Sequence, residues 1–101
     1  MVEIEVKQND AGAEVELSGR LDTVSSMSCE AKLSELKEYL SQTIVLECEK
    51  LDYVCSSGLR IFLSLQKQVM AKGGDLIFRD VNEEIKGVFK MTGLSAFFRI
   101  E

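Results

Sequence analysis

The sequence predicts an α/β domain, a mixed sheet of about five strands with three principal helices mostly on one face. Three observations carry that expectation. Residues 2–18 alternate apolar and polar side chains on either side of a turn, as a hairpin does. Beyond residue 22, helical and extended patterns succeed one another. Ile44, Val45 and Leu46 form an unbroken apolar run, the pattern of a central strand flanked or covered on both sides. A chain of 101 residues, 46% of them hydrophobic, makes one domain over residues 1–101 and leaves no room for a second.

In the first strand Val2, Ile4 and Val6 alternate with Glu3, Glu5 and Lys7, so one face is buried and the other meets water. Asn9, Asp10, Ala11 and Gly12 supply turn chemistry, and in the second strand Val15 and Leu17 alternate with Glu14, Glu16 and Ser18. Asp22 or Thr23 can cap a first helix. Its apolar stripe reads as Val24, Met27, Ala31, Leu33, Leu36 and Leu40, with an end near Ser41. The central strand is expected over Thr43–Cys48.

The segment Leu51 to Leu63 holds the remaining elements together. Ser56, Ser57 and Gly58 sit where an extended run gives way to a helix marked by Leu59, Phe62, Leu63, Val69 and Met70. Arg60, Ser64 and Lys67 share another face of that helix, and Gly73 and Gly74 can end it. The first turn of a helix offers unpaired N–H groups and partial positive charge, which suits the two serines to capping or to carrying a phosphate. The plainer alternative is that one serine is only an N-cap.

Asp75 to Arg79 reads as a fourth strand, reached by a right-handed parallel crossover. Asn82 can cap a third helix, with Glu83 and Glu84 in its first turn and Ile85, Val88 and Phe89 as its stripe. Gly87 weakens this helix by about 1 kcal/mol relative to alanine. Gly93 offers a stop before Phe97, Phe98 and Ile100, which suit a short last strand.

Composition narrows the function. The net charge is -5, with 12 basic and 17 acidic residues and no basic cluster, so phosphate backbones of nucleic acids would be repelled. The chain contains no histidine, which removes the usual base of a serine or cysteine triad. An enzyme using Ser56, Ser57 or Cys55 as nucleophile is thereby disfavoured, and no catalytic residue, cofactor or metal site is expected. Cys29, Cys48 and Cys55 lack CxxC spacing and suit reduced, packed thiols. Glu3 and Glu5 interrupt any leader-like run, and no apolar stretch approaches the roughly 20 residues of a membrane helix. A cytoplasmic protein with no membrane contact is the expectation.

Gly19-Arg20-Leu21-Asp22, the run Leu51 to Leu59 with Ser56-Ser57-Gly58-Leu59 at its heart, and Met91-Thr92-Gly93-Leu94 together resemble the STAS domain family. More narrowly they are similar to bacterial anti-sigma factor antagonists. The resemblance covers nearly the whole chain, in the family's order and spacing. It implies that Ser57, the serine immediately before the glycine, is a phosphoacceptor. It also implies two partners, an anti-sigma factor that is itself a serine kinase and a serine phosphatase that restores the unmodified form. Unmodified antagonist sequesters the anti-sigma factor and so releases a sigma factor for transcription.

A second reading within the same family is an unphosphorylated scaffold in a transporter-associated or sensory complex. The chain departs from the pattern at Cys55, where many phosphorylated members have aspartate. A carboxylate accepts hydrogen bonds and shapes the local field, whereas a thiol does neither well. Cys55 reads as a packing residue or, at a helix N-terminus, as a redox-sensitive thiol. The expected partner surface comprises Asp22, Ser56, Ser57, Gly58, Arg60, Ser64 and Lys67. The two cations on the helix stripe favour acidic groups on the partner.

Overall fold

Asn9 makes the first turn: its Oδ1 accepts from the Ala11 and Gly12 amides at 3.0 and 2.8 Å. This joins β1 (Val2–Asn9) to β2 (Gly12–Leu21) as an antiparallel pair in the computed structural model, which describes residues 2–101. There follow α1 (Thr23–Leu33), a 3₁₀ segment (Ser34–Tyr39), β3 (Thr43–Val54), α2 (Ser56–Lys72) and β4 (Asp75–Arg79). The chain continues through α3 (Glu83–Met91) and a 3₁₀ turn (Leu94–Ala96) to β5 (Arg99–Ile100).

The five strands lie in the order β1-β2-β3-β4-β5, parallel from β2 onward. Each new strand is added on the same side, so crossovers of one hand place every connecting helix on the same face. The core agrees. Val15 and Leu17, Ile44, Leu46 and Cys48, and Phe78 point to one sheet face, where they meet Cys29, Phe62, Val69, Ile85 and Phe89 in a single cluster. Phe78 is its hub, with ring centroids 5.3 Å from Phe62, 5.5 Å from Phe89 and 4.5 Å from Phe98. The opposite face carries Glu5, Glu16, Glu47 and Arg79 in one cross-strand row. The expected mixed sheet of five strands with three helices on one face is what the chain forms.

Five details differ from the sequence reading. The first helix stops at Leu33 and tightens into the 3₁₀ segment instead of continuing towards Ser41. Its phase is also rotated: Val24 is 90% exposed and Met27 79%, while Ser25, Ser26, Cys29 and Leu33 face the core. The capping box sets that rotation. The Ser25 amide donates to Asp22 Oδ1 at 2.9 Å and the Asp22 amide donates to Ser25 Oγ at 3.0 Å, which draws Ser25 inward. The buried hydroxyls are satisfied, with Ser25 Oγ 3.1 Å from the Arg20 carbonyl and Ser26 Oγ donating to the Thr23 carbonyl at 2.8 Å.

The central strand runs to Val54, six residues beyond the expected end at Cys48. Its register against β2 slips between Glu16 and Ser18 and again between Gly19 and Arg20. Both bulges let β3 carry charged side chains without ending. The remaining differences are small: Met70 is exposed on α2, and β5 holds only Arg99 and Ile100, leaving Phe97 exposed and Phe98 buried.

Candidate functional site

Parallel pairing brings two strand ends together. Leu21 at the end of β2 lies opposite Val54 at the end of β3, and the Cys55 amide donates to the Leu21 carbonyl at 2.9 Å. One residue, Cys55, separates β3 from α2, so the helix begins directly off the sheet. Gly58 makes this possible. A β-carbon at Gly58 would stand 2.7 Å from Leu21 Cδ2 and 2.9 Å from Val54 Cγ1, so only glycine lets the first turn of α2 settle onto both strand ends.

The N-cap of α2 is Cys55, which makes no side-chain capping bond, and not either serine. Ser56 and Ser57 are instead the first two helical residues, Ser56 exposed and Ser57 half-buried. The earliest intrahelical bond runs from the Leu59 amide to the Cys55 carbonyl at 3.0 Å, which leaves the amides of Ser56, Ser57 and Gly58 ahead of it without helical acceptors. An anion on Ser57 would therefore sit among free donors at the positive end of a helix of 17 residues.

Neighbouring side chains are tied down. Asp22 caps α1, and the bonds it accepts from the Ser25 amide and hydroxyl hold its carboxyl below the usual carboxylate range. Arg20 stacks on Tyr53, its guanidinium carbon 4.3 Å from the ring centroid, across the paired ends of β2 and β3. Of the expected partner surface, Ser56, Arg60, Ser64 and Lys67 are exposed, while Asp22 and Ser57 are half-buried. Gly58 is buried and serves as the packing point beneath them.

The described residues also gather Glu47, Glu49 and Asp80, with carboxylate oxygens within 4.8 Å of one another, a grouping that joins β3 to the residue just after β4 and gave no sequence signal. Burial, then the hydrogen bond and charge of Asp80, hold the Glu47 carboxyl above the ordinary range. None of the described helices is long and apolar enough to cross a membrane.

The STAS domain family model matches residues 3–101. The chain belongs to the STAS domain family. Among characterised STAS relatives, the anti-sigma-B factor antagonist of Bacillus subtilis (strain 168) is 31% identical over 94 residues, which span 92% of this chain and 84% of that protein. In solved structures the STAS architecture recurs in the anti-sigma factor antagonist SpoIIAA in its unphosphorylated form. The TM-score is 0.81 at 22% identity, covering 98% of this chain and 88% of that one. The phosphorylated form of the Bacillus cell fate determinant SpoIIAA gives a TM-score of 0.75 at 22% identity, covering 98% and 91%. At that identity the two structures speak for a shared STAS fold.

Proposed function

We propose that this STAS domain is an anti-sigma factor antagonist, a binding module whose hold on an anti-sigma factor is switched by phosphorylation of Ser57. The observation that carries the reading is a hydroxyl in the first turn of α2, beside amides that lack helical acceptors, on a chain 31% identical to an anti-sigma-B factor antagonist. Unmodified protein sequesters the anti-sigma factor, which is also the serine kinase, and a sigma factor is freed for transcription. A serine phosphatase reverses the modification.

A phosphate on Ser57 adds about -1.5 to -2 charges at neutral pH. At the N-terminus of α2 that charge is compatible with the helix, so the fold survives. At a close interface the same group brings bulk, repels carboxylates and demands desolvation, so binding falls. The chemistry acts on Ser57 and none is assigned to the domain itself. A cytoplasmic setting without nucleic acid or membrane contact fits a partner-switching role.

The test incubates the purified chain with the anti-sigma serine kinase from the same genome and ATP, then maps phosphate by mass spectrometry. Phosphate on Ser57, absent from Ser57→Ala and retained in Ser56→Ala, is the expected result, with weaker kinase binding by the phosphoprotein. A phosphoprotein that binds as tightly as the unmodified chain would overturn the switch, and modification of Ser56 alone would overturn the site.

A further inference from the structure

The first two turns of α1 are inside out by the usual measure: they bury Ser25 and Ser26 and present Val24 and Met27 to solvent, 90% and 79% exposed. Single exposed apolar side chains are ordinary. Here two of them share one helix face, spaced by three residues, on a helix whose core side begins with two hydroxyls before it reaches Cys29 and Leu33.

Their position gives them a context. α1 leaves β2 after Leu21 and α2 leaves β3 after Val54, and those residues are paired, so both helices start at the same end of the sheet. Between them runs a groove of about 180 Å³, walled by Glu30, Ser34 and Lys37 on one side and Ile61, Ser64 and Gln68 on the other. Stepping three residues back from Glu30 along α1 reaches Met27, and stepping four back from Ile61 along α2 reaches Ser57. Met27 and Ser57 thus stand on the two helix faces that lead out of the groove at its upper end. Arg60 and Lys67 flank it on the exposed face of α2.

Resting on the function proposed above, we infer that Val24 and Met27 form the apolar half of the docking surface for the anti-sigma kinase. The matching element on that partner is an apolar side chain flanked by carboxylates. The apolar contact lies over the start of α1, and the carboxylates face Arg60 and Lys67 on a chain whose net charge of -5 otherwise repels acid. A kinase reaching Ser57 from above the helix layer covers this part of α1 in the same approach.

The test measures the affinity of the purified anti-sigma serine kinase for four forms of the full chain: wild type, Met27→Gln, Val24→Ser/Met27→Gln, and Met70→Gln as an exposed methionine near the far end of α2. Thermal unfolding is recorded for each. The double variant is expected to bind about ten-fold more weakly with an unchanged melting temperature, Met27→Gln to fall between, and Met70→Gln to match wild type. Unchanged affinity in the double variant, alongside a Ser57→Glu variant that loses binding, overturns the docking surface and leaves the switch standing. An equal loss in Met70→Gln overturns the assignment to α1. A kinase that neither binds the wild type nor modifies Ser57 overturns the functional reading, and this surface with it.

Discussion

Gly58 rests on Leu21 so closely that the space for a β-carbon is already filled, 2.7 Å from Leu21 Cδ2. The contact joins the start of α2 to the end of β2. Gly58→Ala should therefore destabilise the domain by about 1–3 kcal/mol, the usual effect of overpacking. Urea unfolding checks it. Leu21→Ala vacates the same space, so the double variant should be less unstable than the sum of the two single changes, the mark of a direct contact.

Gly87 is the opposite case. It lies inside α3, and a β-carbon there would meet nothing within 4 Å. Gly87→Ala should stabilise the protein by up to about 1 kcal/mol, through helix propensity and a less flexible unfolded chain. The midpoint of urea unfolding should rise with its slope unchanged.

Stability should fall as pH rises through the acidic range on account of Glu47. Its carboxyl is raised above the ordinary 4.5, first by burial and then by Asp80, with a hydrogen bond from the Glu49 backbone and the charge of Arg79 partly offsetting the effect. The folded state thus holds more protons than the unfolded state in the window above 4.5, and the stability conferred by the protonated form is lost as pH climbs through the folded value. Glu47→Gln should remove this slope, raising the melting temperature at pH 7 but little at pH 4. Asp22, whose carboxyl is lowered from 3.8, acts with the opposite sign: its stabilising contribution is lost only as pH falls below that value.

Alkylation should distinguish the three thiols. Burial pushes Cys29 and Cys48 up to about 12, whereas Cys55 is half-buried at the start of α2. Native protein treated with iodoacetamide at pH 8 should gain one adduct, on Cys55, and protein in urea should gain three. Fast modification of Cys29 or Cys48 in the native state would show that the core opens.

Most of the architecture was legible because the signals are local. Alternation in β1 and β2, the Asn82 cap, whose Oδ1 accepts from the Ile85 amide at 2.8 Å, and the left-handed Gly73 after α2 each depend on a few neighbouring residues. The phase of α1 was not legible from apolar spacing, because Val24 and Met27 fit a stripe as well as Cys29 and Leu33 do. The hydrogen bonds of Asp22 and Ser25 decide between the two. The last six residues of β3 were hidden for a related reason, since Glu49, Lys50 and Asp52 read as loop until bulges are allowed. Ser57 was legible as a strand-to-helix junction, but the exposure of Val24 and Met27 was not, because in sequence they looked like core.

On the function proposed above, the single residue between β3 and α2 governs how a kinase can reach Ser57. With a sheet strand on one side, a 17-residue helix on the other and Gly58 wedged beneath, the hydroxyl has no slack with which to thread into a cleft. Most kinase substrates are flexible segments that take up an extended shape on binding, and this serine is fixed in a helical turn. A kinase for Ser57 must therefore shape its active site to a folded surface, and an isolated peptide spanning residues 51–63 would be a poor substrate. The modification would then report on folded domains only, so that a misfolded copy escapes the switch.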